Sequence, residues 1–247
     1  MTPSKEVEAL IAKAFDLFGS YEVRLPLEVC TDCCMDPKHA ESLATMHVRH
    51  IPFELLYEYN TAARAEDSSQ DEYKHFLPRI LEFLANGRWL HHDVAIILSG
   101  FRTGAEVEIT DEEKEFFVEF AQAFFLQCLN QYPLPDHEEI VGILALFVDV
   151  LGVDLKLFLD IWKNTNTTSS LCHLADLANG GFKSRKPNKL KDAFASEALG
   201  NGLSNWLQQK EGWEAKQNAI EHFIMNPGDA DEWTIQEVSW LYEKLNN

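Results

Sequence analysis

The hydrophobic positions from Val7 onward fall at Leu10, Ile11, Ala14, Phe15 and Phe18, the spacing of three and four that lines one face of an α-helix. Gly19 follows where a helix C-terminus belongs. The period then changes to two, because Tyr21, Val23, Leu25, Leu27 and Val29 alternate with Glu22, Arg24, Pro26, Glu28 and Cys30. That alternation predicts an extended segment over about 21–29, and Pro26, which has no N–H to give to a ladder, restricts it to a sheet edge. Asp36-Pro37 supplies an N-cap followed by proline at the first helical position, opening a helix toward Met46. Helices are also expected over 52–65 and 71–86. The second carries Pro78, which predicts a kink, with Arg79 placed to satisfy a carbonyl that the proline frees.

Further along, 92–98 reads as a short helix, and Ala105, Val107 and Ile109 alternate with glutamates as a second extended stretch over about 105–109. Thr110 with Glu113 three residues on has the form of a capping box, ahead of an apolar stripe at Phe117, Phe120, Phe124 and Cys128. Asp136 with Glu139 repeats that form before Ile140, Leu144, Phe147, Val148 and Leu151, and Asp154 caps a helix through Trp162. Shorter helices follow over 167–178, 188–198, 203–209, 213–225 and 235–245, the last opened by Thr234 and Glu237 as a third capping box. The pattern predicts an all-α protein, an irregular multi-helix bundle or stacked helical hairpins with one or two short extended segments. A single domain over 1–247 is expected, with any sub-division near 180–188.

Charge narrows the partners. The 247 residues carry 40 acidic and 21 basic side chains, a formal charge of −19, a field that repels nucleic acid and anionic membrane and speeds encounter with a basic protein. Between Gly104 and Asp160, 13 acids stand against two bases, a net of −11. Lys183, Arg185, Lys186, Lys189 and Lys191 form a short basic run of opposite bias. No stretch approaches the roughly 18 apolar residues of a membrane span. The first residues lack the apolar core of a secretory signal, so a cytoplasmic location is expected. Five cysteines, three of them crowded at Cys30, Cys33 and Cys34, do not form a disulfide framework and are expected to be reduced.

Those three cysteines are the sharpest chemical feature. Thiolates and imidazoles are zinc ligands, and C-x-x-C spacing can turn two sulfurs toward one ion, with His39, His47, His50 or His75 available to complete a tetrahedron. The competing readings are small buried hydrophobes lining a turn and a redox pair near the N-terminus of the helix at Pro37. Glu72-x-x-His75 has the spacing of a dinuclear carboxylate bundle, but no second Glu-x-x-His accompanies it. No nucleophile elbow and no phosphate-binding glycine loop is present. Five of the six tryptophans lie after residue 160 and are expected to build a C-terminal core.

Cys30-x-x-Cys33-Cys34 followed by Lys74-His75-Phe76-Leu77-Pro78-Arg79-Ile80-Leu81-Glu82-Phe83-Leu84 resembles a group of uncharacterised bacterial proteins, in which a C-x-x-C-C cluster precedes a "KHFLPRILEL"-like helix. The resemblance spans residues 20 to 87, about a third of the chain. It implies no activity, cofactor or site.

The leading expectation is a non-enzymatic, acidic protein-binding module, in its most concrete form a bacterial immunity protein that neutralises a basic toxin. Its binding face would comprise Glu106, Glu108, Asp111, Glu112, Glu115, Glu119, Asp136 and Glu138. No cofactor belongs to that reading. The alternatives are a metal-binding protein or metal-dependent enzyme using Cys30, Cys33, Cys34 and His39 or His75, with zinc as the ion, and a helical scaffold or adaptor.

Overall fold

The computed structural model describes residues 1–65, 68–101, 109–183, 194–209 and 212–246. The chain is all-α: among the described residues there are eleven α-helices and no strand. Chain contacts divide it into two compact units, Met1–Ala123 and Phe124–Asn247. The segment around 180–188 lies in large part outside the described residues.

In the first unit, α1 (Lys5–Leu17) starts at Ser4, whose hydroxyl accepts the Val7 N–H, and buries Val7, Ile11, Ala14 and Phe15. These are the positions that the 3.6-residue period selects. The alternating segment that follows is neither helix nor strand. Its burial nonetheless alternates as expected except at Leu25: Tyr21 and Val23 are half-buried and Leu27 and Val29 buried, while Leu25 is 55% exposed. Asp36 caps α2 (Pro37–Thr45) through the Lys38 N–H, with the proline in the first turn. The helix expected over 52–65 is shorter as α3 (Phe53–Thr61).

The helix α4 (Gln70–Ala85) starts at Ser69 and runs through Pro78 as one element. Arg79 does not serve a carbonyl of its own helix. Its Nε donates to Ile51 O at 3.0 Å, and its guanidinium pairs with Glu82. The short helix expected over 92–98 is instead a pair of 3₁₀ turns, Val94–Ile96 and Ser99–Phe101. Gly100 is required there because a Cβ would fall 2.3 Å from the Tyr73 ring. The long α5 (Asp111–Leu129) opens with the capping box in full: Thr110 N–H donates to Glu113 at 2.8 Å and Glu113 N–H to the Thr110 hydroxyl at 3.2 Å. The core of this unit is aromatic, with Phe18 edge-on to Phe116 at 5.6 Å and Tyr59 to Phe76 at 4.6 Å.

A buried ion pair lies among these rings. Lys74 Nζ is 3.0 Å from Glu113 Oε2 and 3.1 Å from the Tyr21 hydroxyl, which itself donates to Glu113 Oε1 at 2.7 Å. The two charged side chains are 3% and 2% exposed. Burial alone would pull the Lys74 ammonium down, but its bonds to Tyr21 and Glu113 leave it raised. Burial likewise pushes Glu113 up, and the Tyr21 hydroxyl, the Thr110 amide and Lys74 leave it lowered.

In the second unit, α6 (Ile140–Ala145) gives way to a π-turn over Leu146–Val150. The expected Asp136/Glu139 box does not form. Asp136 sits at φ 55° in a 3₁₀ turn, and Glu139 precedes α6 without a side-chain cap bond. Asp154 does cap α7 (Leu155–Asn164), through Lys156 N–H at 2.9 Å. Next come α8 (Thr168–Lys183), α9 (Glu197–Gln208), α10 (Glu214–Met225) and α11 (Glu232–Asn246), with α8 and α10 packed on α11. The helix expected over 188–198 falls partly outside the described residues. Ser196 ends that expectation by capping α9 through Leu199 N–H, its own hydroxyl held by Asp149 at 2.6 Å. At α11 the cap is Asp231, which accepts the Thr234 N–H at 2.7 Å, so the third capping box is also absent. Glu237 is instead buried and accepts from Asn179.

Trp162, Trp206 and Trp213 pack in sequence as tilted ring pairs at 5.4 and 4.8 Å and form the expected core, but Trp233 and Trp240 stay 60% and 39% exposed. Lys216, 1% exposed, donates to Trp162 O at 2.8 Å and to Thr165 O, closing the C-terminus of α7 with a cation. Burial lowers its pKa to about 8. Among the described residues no helix is long and apolar enough to cross a membrane.

Candidate metal centre

The residues from Cys30 to Met35 form one turn between the segment at Leu27–Val29 and α2. Cys30 N–H donates to Ala63 O at 2.8 Å, and Met35 N–H returns to Cys30 O at 3.1 Å. Met35, 3% exposed, anchors the far end in the core. Beyond it, Glu58 on α3 ties down the start of α2, accepting from Asp36 N–H at 2.7 Å and pairing with His39 Nδ1 at 2.7 Å. Both ends of the turn are therefore held by bonds to distant chain.

Within this frame the three sulfurs converge. Cys33 Sγ lies 3.5 Å from Cys30 Sγ and 3.5 Å from Cys34 Sγ, and all three fall within 4.8 Å of one another. The backbone amides of Cys33 and Asp32 beside Cys30 hold its thiol below the ordinary value. Cys33, bonded to Cys34 and Cys30, is pushed up to about 11. The cluster faces outward, Cys33 being exposed and its two neighbours half-buried. The reading of these cysteines as buried hydrophobes does not describe them. It does describe Cys128 and Cys172, both buried in the second unit, where desolvation pushes their thiols up.

Neither histidine assigned to the cluster belongs to the converging group. His39 is taken by Glu58, and His75 Nδ1 bonds to Tyr21 O at 2.7 Å. His47 and His50 pack on each other at 5.3 Å. Glu72, of the Glu72-x-x-His75 motif, is 5% exposed; it accepts the Tyr59 hydroxyl at 3.0 Å and the Glu28 N–H at 2.9 Å. Burial raises its pKa. Its buried role, like that of Lys74, has one trace in the sequence: Lys74 is in register with Leu77, Leu81 and Leu84 on the buried face of α4.

Cys30 also borders a cavity of about 540 Å³ shared with Leu27, Val29, Ala63 and Arg64. The Arg64 guanidinium is stacked over Tyr59 at 4.1 Å. A second cavity, of about 470 Å³, is lined by Tyr21, Arg24, Glu28, Asp71 and Glu72.

Of the acidic residues, Glu106 and Glu108 lie outside the described residues. Asp111, Glu112, Glu115 and Glu119 are exposed on α5, Asp136 is exposed and Glu138 half-exposed. Two of these form exposed ion pairs within the chain, Asp111 with Lys114 at 3.1 Å and Glu119 with Lys13 at 2.7 Å. The basic run over 183–191 also falls outside the described side chains. Comparison with known proteins gives no matching family model, no matching curated protein and no matching solved structure.

Proposed function

We propose that this protein binds a thiophilic metal ion, zinc in the ordinary case, through Cys30, Cys33 and Cys34. The observation that carries the reading is the convergence of three outward-facing sulfurs within 4.8 Å on a turn held at both ends. Thiolate sulfur selects zinc and other soft ions over magnesium or calcium. Three protein ligands leave one position for water or a group from outside, the pattern of accessible rather than closed zinc sites. The amide N–H groups at Cys30 favour the deprotonated sulfur that a metal needs.

Protein purified without chelator under reducing conditions, or reconstituted with zinc, is expected to carry one equivalent by elemental analysis. Cys33→Ser is expected to weaken that binding by at least the ~10–100-fold that loss of a mere outer-shell partner costs. Zinc below about a tenth of an equivalent after reconstitution, against the tight binding expected of thiolate sites, sinks the reading.

A second reading is supported by the exposed carboxylates of α5, Asp111, Glu112, Glu115 and Glu119. They suit a basic protein partner, a toxin in the immunity-protein version. Substituting all four by their amides should then weaken capture of that partner and flatten its salt dependence. Unchanged capture would leave a helical adaptor with a non-basic partner as the better account.

A further inference from the structure

We infer that the cysteine cluster takes arsenic(III), the three-coordinate thiophilic ion present in neutral water as arsenous acid. The inference rests on the metal-binding reading above and names the ion that the cluster suits best.

Ligand number is the first argument. Among the described residues the converging group consists of three sulfurs, and neither His39 nor His75 belongs to it. Zinc needs a fourth donor from outside. Arsenic(III) needs three, because its lone pair occupies the fourth direction.

Spacing admits this ion as well as zinc. Cys33 Sγ lies 3.5 Å from each neighbour and all three sulfurs fall within 4.8 Å of one another, a spread that brackets the roughly 3.8 Å between sulfurs on a regular tetrahedral zinc. The turn that presents the sulfurs is already closed by the Met35 and Cys30 backbone bonds, so little chain entropy is lost on loading.

Charge is the second argument. Arsenous acid reacts with three thiols by exchange: three As–O and three S–H bonds break, three As–S bonds form, and three waters leave. No oxidant is needed, and the loaded site is neutral. Zinc on three thiolates leaves one negative charge at the site and copper(I) leaves two. Asp32, Asp36 and Glu58 surround the turn against Lys38 and His39, in a chain of net charge −19. A neutral product adds no repulsion to that field.

The test is a titration of the reduced full-length protein with sodium arsenite, reading arsenic per chain after gel filtration and the thiols left free. The expected result is one arsenic per chain and the loss of three of the five thiols. Cys30→Ser, Cys33→Ser and Cys34→Ser should each weaken binding at least tenfold, to about the extent that metal sites lose affinity when their ligand set is disturbed. Helical content by circular dichroism checks that each variant is folded. Zinc uptake at one equivalent without arsenic uptake overturns the inference and leaves the metal reading standing. Arsenic held by only two thiols, or indifferent to any one of the three substitutions, also overturns it. Uptake of neither ion overturns both.

Discussion

Lys74→Met is expected to cost the first unit about 3–5 kcal/mol, the penalty for leaving a buried carboxylate without its cation. Glu113 is 1% exposed, so no water replaces the ammonium that lies 3.0 Å away. The Tyr21 hydroxyl and Thr110 amide would remain, supplying hydrogen bonds without neutralising charge. The double variant Lys74→Met with Glu113→Leu should recover most of the loss, because an apolar pair needs no desolvation of ions.

Acid gives a further check on the same pair. Glu113 has a lowered pKa in the folded protein, so its contribution is present above the unfolded carboxyl value of about 4.3 and is lost as pH falls through the folded value. In Lys74→Met the orphaned carboxyl gains by taking up a proton. The gap between wild type and variant should therefore narrow as pH falls from the variant's raised carboxyl value toward the wild type's lowered one. Urea unfolding followed by far-ultraviolet circular dichroism, with hydrogen exchange at α4 amides, measures both. A loss under about 1 kcal/mol at pH 7, typical of an exposed pair, would show that the pair is solvated.

Trp162→Ala should destabilise the second unit by about 3–5 kcal/mol, the range for truncating a fully buried large aromatic. The side chain is fully buried and meets Phe125 at 5.9 Å and Trp206 at 5.4 Å, while its Nε1–H donates to Ser170 O at 3.2 Å. Alanine leaves a cavity among rigid rings that cannot close over it. Trp162→Phe keeps a ring and loses the donor, so it should cost less, about 1–3 kcal/mol for the lost hydrogen bond together with the lost volume. Only Trp89 lies in the first unit, so tryptophan fluorescence during denaturation reports chiefly on the second. A midpoint for Trp162→Ala equal to that of wild type would contradict the packing described.

Helix class and several helix starts were legible in the sequence. Asp36, Thr110 with Glu113, and Asp154 cap the helices that their spacing announced. Two other candidate boxes failed for identifiable reasons. Asp136 was drawn into a left-handed turn, and Glu237 was buried against Asn179. A capping residue acts through its side chain, and a tertiary partner can take that side chain away. Likewise the apolar alternation over 21–29 matched the burial of Leu27 and Val29, but no neighbouring strand exists among the described residues for it to pair with.

The candidate metal centre divides in the same manner. That Cys30, Cys33 and Cys34 could meet was implied by their spacing within five residues. No histidine joins them: His39 and His75, bonded through Nδ1 to Glu58 and to the Tyr21 carbonyl, lie outside the converging group.

By itself the sequence determined what forms within about four residues: the helical period, the proline and aspartate starts, and the closeness of three thiols. These depend on bonds and side-chain contacts inside one turn of chain, where residue spacing is distance in space. Tertiary structure alone decided the pairing of Lys74 with Glu113, which of the five tryptophans after residue 160 are buried, the division at Ala123, and, among the described residues, the limit of three ligands at the thiol cluster. Each joins or separates groups through packing of helices far apart in the chain, and the local pattern carries no record of which faces will meet.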